Sequence, residues 1–290
     1  MRDQSRYDYT PVTEREYDLP NDVNVAVWVA PNVEYFKIDV PSTAIYPDAA
    51  EFQPDVLNHG WRDYGARVGI WRLLDVLAEH DITPTVSLNA EVCDRQPAVV
   101  DGLVEAGAEF ICHGQSNSQL HVGMEREEER AVIEAARDRI GDATGTDPRG
   151  WLAPALAESY NTPDILAELG FDYLCDWCND DQPYEFDVAD GELLSVPYSL
   201  ELNDFEAFLE FGYTPAQFGQ IIRDQFDVLY EEGAEPGNGK VLCLALHPFL
   251  TGQPFRRKYL DDALGYITDH DDVWLTTGGE LADHYIEHYR

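Results

Sequence analysis

Strand-like and helix-like segments alternate along almost the whole chain, and this alternation restricts the possible folds more than any other feature. The run 23–30, VNVAVWVA, is rich in β-branched and aromatic residues and predicts a buried strand. Segments with apolar residues at helical spacing, such as 64–79 and 215–232, separate this strand from later ones. Alternation of this kind implies a mostly parallel sheet joined by crossover helices. About seven strand signals therefore predict an α/β protein with a deformed (β/α) barrel.

The sequence predicts a single domain that follows a short arm. Residues 1–20 are polar and end at Pro20, which favours an extended N-terminal arm. Residues 21–290 are predicted to form one domain, because neither a linker nor an internal repeat interrupts the alternation. A chain of 290 residues is long enough to bury the core of one large α/β domain.

Polar side chains follow several of the predicted strands. In α/β barrels the functional groups lie where strands end, so these residues are the candidates for a site. They are Asn32 and Glu34 after the first strand, His113 and Asn117 after the third, Asp176, Trp177, Asp180 and Asp181 after the fifth, and His247 after the strand at 240–246. Each has an ordinary structural explanation, such as a solvated loop acid or a histidine satisfied within the core. Their common position at strand ends favours a site.

Five short motifs stand in a recognisable order: Asn32-Val33-Glu34, His113-Gly-Gln-Ser-Asn117, Gly150-Trp151-Leu152-Ala153-Pro154, Asp176-Trp177 and Ala245-Leu246-His247. This order resembles the polysaccharide deacetylase (NodB-homology) superfamily over roughly residues 20 to 285. Segments 178–184 and 247–254 are most similar to the branch around metal-independent bacterial allantoinases. The resemblance implies a NodB-homology barrel and a hydrolase of carbon–nitrogen bonds other than peptide bonds.

The family pattern implies one Asp as general base, and a second Asp and two histidines that hold a divalent metal. This sequence differs from that pattern at three motif positions. Asn32 stands at the base position, and an amide cannot take up a proton at neutral pH. Glu34 replaces the metal-binding Asp, and Asn117 replaces the second His. One carboxylate and one histidine make a weak metal site. We therefore expect no tightly bound cofactor, with a divalent metal such as zinc on Glu34 and His113 as the alternative.

The resemblance also implies a general acid–base mechanism in which water attacks an amide carbonyl. Glu34 or His113 is the expected base, His247 the expected acid, and Asp176 is expected by analogy to orient His247 and keep it protonated. The predicted substrate-binding residues are Asn32, Asn117, Trp151, Glu158, Trp177, Asp180 and Asp181. Gly65 and Arg67 look like family features near the barrel mouth, and Arg67 is a further candidate for substrate contact.

The chain carries 56 acidic residues against 19 basic ones, a formal net charge of −37. At about 1 M salt the Debye length falls to roughly 3 Å, which screens most of the self-repulsion of such a surface. The acids are scattered along the chain, which favours a solvated surface adapted to concentrated salt. Nucleic acids and anionic membranes are disfavoured as partners because both are polyanions.

Five cysteines, an odd number, lie mostly in apolar strand-like stretches and are predicted to be buried thiols. The Cys175-x-x-Cys178 pair lacks the following helix that a redox dithiol usually opens. The segment 114–118, GQSNS, lacks the second glycine of a serine-hydrolase elbow. With no apolar signal segment at the start and no run of 18 apolar residues, a cytoplasmic location is predicted.

Two functional classes remain open from the sequence. The first is an enzyme acting on a small ureide such as allantoin or on an N-acetylated sugar, and a cytoplasmic location favours the small molecule. The second is a binding protein that has kept the pocket and lost the chemistry. Asn32 and Asn117 favour the binding protein, whereas His247 with Asp176 favours the enzyme. Allantoinase-like relatives suggest a homo-oligomer.

Overall fold

The computed structural model describes residues 6–38, 46 and 52–290. Within them one nine-stranded sheet runs in the order β6-β7-β5-β4-β3-β2-β1-β8, and β9 also pairs with β1. The strands are β1 Val25–Val33, β2 Thr85–Leu88, β3 Glu109–Cys112, β4 Gly150–Trp151, β5 Tyr173–Leu174, β6 Tyr184–Glu185, β7 Leu194–Ser195, β8 Lys240–Leu246 and β9 Val273–Leu275. All pairs are parallel except β6–β7.

Helices connect the parallel strands, as the alternation predicted. They are α1 Val56–Tyr64, α2 Ile70–Glu79, α3 Ala90–Arg95, α4 Pro97–Glu105, α5 Arg126–Thr144, α6 Thr162–Glu168, α7 Pro215–Gly233, α8 Pro254–Thr268 and α9 Gly278–Tyr289. Capping boxes begin α7 at Thr214 and α9 at Thr277, where each side chain accepts from a backbone N–H that the helix leaves unpaired. Among the helices described, none is both long and apolar enough to cross a bilayer.

The sheet curls into a half-barrel, which confirms the predicted deformed α/β barrel. In two details the structure differs from the sequence prediction. The short antiparallel strand β6 was not predicted, because two residues carry no periodic signal. The first strand continues to Val33 instead of ending at residue 30, so Asn32 lies within the strand. Pro31 does not end it, because β8 and β2 pair on either side of this segment.

Strand β1 faces two different parts of the core. Val25, Val27 and Val29 point outward and pack against α2, α7 and α8. The alternate residues Ala26, Trp28 and Ala30 point into the curl of the sheet. The inner core also contains Ile111 of β3 and Val241, Cys243 and Ala245 of β8, and α9 contributes Leu281 and Ala282. The two faces therefore follow the period of two expected for a buried strand.

The first residues that the structure describes pack on the body of the protein. Arg6 forms an ion pair of 2.8 Å with Asp164 in α6, and Tyr17 is buried and bridges to Asn238. Apart from a single turn at Val12–Glu14, the segment up to residue 19 has no regular helix. The described part of this segment is thus attached to the domain, residues 1–5 lie outside the described part, and an extended arm over residues 1–20 stays a prediction.

A π-helical turn, Gly65–Gly69, joins α1 to α2 and lies directly against the loop that follows β8. A Cβ atom on Gly69 would come within 1.9 Å of the carbonyl oxygen of Pro248, and one on Gly65 within 2.8 Å of the Phe249 nitrogen. Only glycine permits this approach. The turn therefore fixes the position of the loop that begins at His247.

We expect Gly69→Ala to lower the free energy of unfolding by about 1–3 kcal/mol, because the added methyl group forces apart two backbone segments. The matched control is Gly60→Ala in α1, where an added Cβ meets nothing within 4 Å. This control is expected to stabilise the helix by up to about 1 kcal/mol. Urea unfolding in concentrated KCl, followed by circular dichroism, measures both changes. Equal stability of the two variants would contradict the close approach.

Candidate active site

In strands β1, β3 and β8, alternate side chains point into the curl of the sheet. At the end of each strand, the next side chain on that face is polar. Asn32 and Glu34 continue the series of β1, His113 continues that of Ile111 in β3, and His247 continues that of β8. These four side chains meet at the carboxyl end of the sheet, where they line a cavity of about 410 Å³. Side chains from three strand ends therefore lie together, and their role as a site stays a prediction.

Glu34 lies between two imidazoles. Its Oε1 is 3.5 Å from Nε2 of His113 and 3.7 Å from Nε2 of His247, and it accepts a hydrogen bond from Nδ2 of Asn117. Burial by itself raises the pKa of Glu34, but the positive charge of His247 and its hydrogen bond to the carboxylate outweigh it. The net result is a pKa well below the usual value. Glu34 is thus an ionised carboxylate throughout the neutral range.

The tautomer of His113 follows from its partner. Nδ1 lies 2.6 Å from the carbonyl oxygen of Leu152, which can only accept a hydrogen bond. Nδ1 therefore carries the proton, and Nε2 keeps its lone pair when the ring is neutral. That nitrogen is buried and has no hydrogen-bond partner at standard geometry among the described residues. It faces the cavity beside Glu34.

Asp204, and not Asp176, orients His247. Oδ1 of Asp204 lies 2.7 Å from Nδ1 of His247 and also accepts the backbone N–H of His247, while Oδ2 accepts from Thr251. Burial lowers the pKa of His247, but the negative charge of Glu34 and the hydrogen bond to Asp204 raise it to about 10. The ring is therefore a buried imidazolium that keeps its proton at neutral pH.

The sequence-based expectation for Asp176 was wrong in this respect because its carboxylate binds the backbone after β4 and not His247. Asp176 lines the cavity, but its Oδ1 accepts the backbone N–H of Ala153 at 2.6 Å. The residue that orients His247 comes instead from the irregular segment between β7 and α7. Asp204 has no strand before it and no spacing signal, so sequence reasoning missed it.

A chain of hydrogen bonds fixes the amide of Asn117. The backbone N–H of Tyr35 donates a hydrogen bond to Oδ1 of Asn89, which fixes the orientation of the Asn89 amide. Nδ2 of Asn89 then donates to the carbonyl oxygen of His113 and to Oδ1 of Asn117. Asn117 must then present its NH2 group to Glu34. Asn89 directly follows β2, an early strand end that was missing from the sequence prediction of the site.

This orientation does not suit a metal. A cation beside Glu34 and His113 needs lone pairs, but Asn117 points hydrogen atoms toward that position and its oxygen is already bonded to Asn89. Within the ranges that the structure describes, no group of three or more His, Cys, Asp or Glu residues is arranged to hold a metal ion. The donor set therefore does not fit the divalent metal that the resemblance implied, and no catalytic step is derived through one.

Five of the predicted substrate-binding residues contact other parts of the protein or lie behind the cavity wall. Trp151 is fully buried against Phe171 and His121, and Trp177 packs on Tyr7 and Phe186. Asp180 pairs with Arg15 at 2.7 Å, and together with Asp181 it lines a separate cavity. Glu158 accepts from the Trp177 indole at 3.4 Å and does not line the cavity. Asn32 and Asn117 do line it, and their roles remain predictions.

Arg62, and not Arg67, reaches the cavity. The side chain of Arg67 is 76% exposed and lies near Asp63, whereas the guanidinium of Arg62 is buried 3.5 Å over the ring of Phe36. Burial lowers the pKa of Arg62 to about 10, so it remains a cation at neutral pH. Position 62 lies in α1, which the sequence prediction did not include, so the periodic signal there was missed.

Two further residues that sequence reasoning missed complete the wall. The hydroxyl of Tyr198 accepts a hydrogen bond from Nδ2 of Asn32 at 3.0 Å, and burial holds the pKa of this phenol well above its usual value. Glu206 lies beside His247, and burial raises its pKa. The other four cysteines are buried and Cys178 reaches the surface, but desolvation of its thiol by the surrounding protein still raises its pKa to about 12, unlike that of a redox-active thiol.

Comparison with known proteins agrees with this geometry. A protein named "Putative polysaccharide deacetylase" in Schizosaccharomyces pombe is 32% identical over 240 residues, which cover 76% of this chain and 73% of that protein. The chain belongs to the polysaccharide deacetylase family. The family model "Polysaccharide deacetylase" matches residues 62–174. The family membership predicted from the motif order is thereby confirmed.

Two further relatives extend the comparison within the polysaccharide deacetylase family. A peptidoglycan deacetylase of Helicobacter pylori is 25% identical over 269 residues, 82% of this chain and 89% of its own. The solved structure of Puue allantoinase superposes with a TM-score of 0.85 and 28% identity, covering 99% of this chain and 98% of that one. Together these relatives confirm the predicted enzyme class, a hydrolase of carbon–nitrogen bonds.

We expect Asp204→Asn to lower the pKa of His247 from about 10 toward 6.5, because the buried counter-charge is lost. The folded-state pKa lies above the unfolded one, so the proton on His247 stabilises the fold fully below pH 6.5. This stabilisation is lost as pH rises through about 10. An NMR titration of the imidazole measures the shift. Thr251→Val, which removes a neighbour of Asp204 but keeps its charge, is the control, and an unshifted pKa in Asp204→Asn would contradict the assignment.

Proposed function

We propose that this protein hydrolyses an amide C–N bond of a small, largely neutral molecule of the cyclic ureide class, such as allantoin. The observation that carries the proposal is the position of Glu34 between His113 and His247 at the end of the sheet. One anion, one imidazole lone pair and one imidazolium converge on the same cavity. Hydrolysis of an amide needs these three functions: an orienting acceptor, a base and an acid.

His113 is the better candidate for the base. A general base works best when its proton affinity is matched to the operating pH, and the lowered pKa of Glu34 makes its carboxylate a poor proton acceptor. In our mechanism Glu34 accepts a hydrogen bond from the attacking water and orients it. Nε2 of His113 takes the proton, while the bond from Nδ1 to Leu152 keeps the ring in place.

His247 supplies positive charge where the reaction develops negative charge. Its Nε2–H faces the cavity beside Glu34, and Asp204 holds the ring from behind. As water adds to the carbonyl, this N–H stabilises the oxyanion or protonates the leaving nitrogen. Asn32 and the backbone amides of the cavity wall are further donors for the carbonyl oxygen. Because these groups are fixed before substrate binds, little reorganisation accompanies the reaction.

The shape and lining of the cavity favour a small molecule. A volume of about 410 Å³ falls within the range of small-ligand sites, and the lining is more apolar than polar and includes Phe36, Leu200 and Phe205. A long sugar polymer would need an extended polar groove. The similarity to Puue allantoinase over nearly the full length of both chains supports the ureide class.

Two alternatives are kept for the test. The similarity to a peptidoglycan deacetylase supports an N-acetylated sugar as substrate. A binding protein without activity is the other, since Asn32 holds no proton-accepting group. A buried imidazolium with its own carboxylate partner argues for the enzyme, because a binding site for a neutral molecule does not need a protonated histidine.

We expect the protein to hydrolyse allantoin in about 2 M KCl, where the charge of its acidic surface is screened. His113→Ala and His247→Ala should each reduce kcat/KM by at least about 100-fold, because each removes a proton-transfer group. The control is His288→Ala, a histidine half-exposed at the end of α9. Turnover is measured with and without a metal chelator, in parallel with N-acetylglucosamine oligomers.

Activity that survives the chelator supports the derived mechanism, whereas activity abolished by it would restore Glu34 and His113 as metal ligands. Activity on the sugar oligomers alone would replace the ureide class by the N-acetylated sugar. No turnover of either substrate, together with saturable binding of one of them, would favour the binding protein. Full activity of His247→Ala would overturn the role of the imidazolium.

A further inference from the structure

Two carboxyl groups lie next to each other at the wall of the cavity, which Asp176 lines and Glu158 does not. Oδ1 of Asp176 accepts the backbone N–H of Ala153 at 2.6 Å, and Oε2 of Glu158 accepts the indole N–H of Trp177 at 3.4 Å. Each carboxyl group therefore has one oxygen in use. The two side chains interact directly, and Oδ2 of Asp176 and Oε1 of Glu158 are the oxygens that have no other partner among the described residues.

Both of these oxygens are buried, and no described donor meets them at hydrogen-bonding geometry. The indole of Trp151 also faces Asp176 but lies outside that geometry. Two ionised carboxylates in contact, shielded from water, repel each other strongly, and one proton between them removes the repulsion and satisfies both oxygens. Burial, followed by the charge of Glu158, raises the pKa of Asp176 well above its usual value, and burial raises that of Glu158 as well.

The pair is attached to both ends of a strained turn. Asp176 binds the backbone at Ala153, where the turn begins, and Glu158 stands just after its end. Between them Ala155 and Leu156 have φ values of 56° and 51°, left-handed conformations that residues other than glycine rarely adopt. Both residues line the catalytic cavity. Such strain persists only where surrounding contacts hold it.

We propose that Asp176 and Glu158 share one proton and act together as positioning residues, which hold the 153–156 turn in the shape that the active-site wall requires. The inference rests on the proposed function, because it assigns a role in the same reaction. The two carboxyls touch no reacting atom. When the shared proton leaves, the carboxylates repel, the bond from Ala153 to Asp176 loosens, and the left-handed turn relaxes. Turnover is therefore lost as pH rises through the titration of the pair.

The neighbouring charges do not supply another explanation for this titration. Glu129 in α5 adds negative charge near Glu158, and Arg6 in the arm adds positive charge. The thiols of Cys175 and Cys178 on the same segment have pKa values that burial raises, that of Cys178 to about 12, so they stay neutral. His247 titrates near 10 and gives a separate loss of activity at higher pH.

The test compares Glu158→Gln with Glu158→Ala. The amide introduced by the first substitution would carry a permanent N–H toward Asp176 in place of the shared proton, whereas alanine leaves Asp176 without a partner. We expect Glu158→Gln to keep at least about a third of the neutral kcat/KM and to lose the lower alkaline limb of the pH profile, so that only the limb near 10 remains. Glu158→Ala should lose at least about tenfold in kcat, because the wall is misplaced. The control is Glu127→Gln on the exposed face of α5.

Two readouts do not depend on turnover. Infrared spectra of the wild type at neutral pH should show a carboxylic-acid carbonyl band that is absent in Glu158→Gln and titrates with the lower alkaline limb. Hydrogen exchange of the 153–158 segment, compared with that of Glu158→Gln at the same pH, should accelerate over the same range. A wild-type spectrum without this band, or an unchanged alkaline limb in Glu158→Gln, would overturn the proposal.

The outcomes also separate this inference from the proposed function. If no ureide or sugar is hydrolysed, the function fails, but the infrared band and the exchange of the 153–158 segment still decide whether the pair holds the turn. If hydrolysis occurs and the band titrates without any change in exchange or activity, the pair exists but has no positioning role, and the proposal fails while the function stands.

Discussion

The ionised carboxylate of Glu34, buried at the end of a parallel sheet, determines the arrangement of the groups around it. A buried charge costs several kcal/mol unless partners compensate it. Here the compensation comes from the imidazolium of His247 and one amide NH2 group, that of Asn117. Because His247 must be positive for this purpose, it requires a second anion behind it, and Asp204 supplies that charge. The site is therefore a row of alternating charges, Asp204, His247 and Glu34, in which each member fixes the next.

Backbone groups set the outer limits of this network. The amide of Asn117 is oriented by Asn89, which is itself held by the N–H of Tyr35 and the carbonyl of His113. His113 is likewise fixed by the carbonyl of Leu152. Since backbone positions are set by the sheet, the protonation and orientation of the side chains depend on strand register. A site built in this way is preorganised, which is the property that electrostatic catalysis requires.

The replacement of family motif residues by amides changes the chemistry without emptying the site. Asn32 cannot act as a base, and it bonds to Tyr198 instead. Asn117 directs hydrogen atoms where a metal would need lone pairs. What remains is an imidazole lone pair beside an ionised carboxylate, the two groups that the proposed mechanism uses to deprotonate and orient water. The two substitutions are mutually consistent, because the loss of a metal ligand leaves a proton acceptor, His113, with a free nitrogen.

Much of this arrangement was accessible from the sequence, because periodicity and strand ends are local properties. The alternation of apolar runs determined the α/β class, and the residues after β1, β3 and β8 identified Glu34, His113 and His247.

Only the tertiary structure decided the partners of these residues. Asp204 comes from an irregular segment, Asn89 acts through another side chain, and Arg62 reaches the cavity where Arg67 does not. The same holds for Asp180, Asp181 and the two tryptophans, whose chain positions resemble those of site residues but whose segments turn toward the arm or the core. Local sequence fixes which residues leave a strand, but the direction of the loop that follows depends on long-range contacts, such as those of Arg15 with Asp180 and of Gly69 with Pro248.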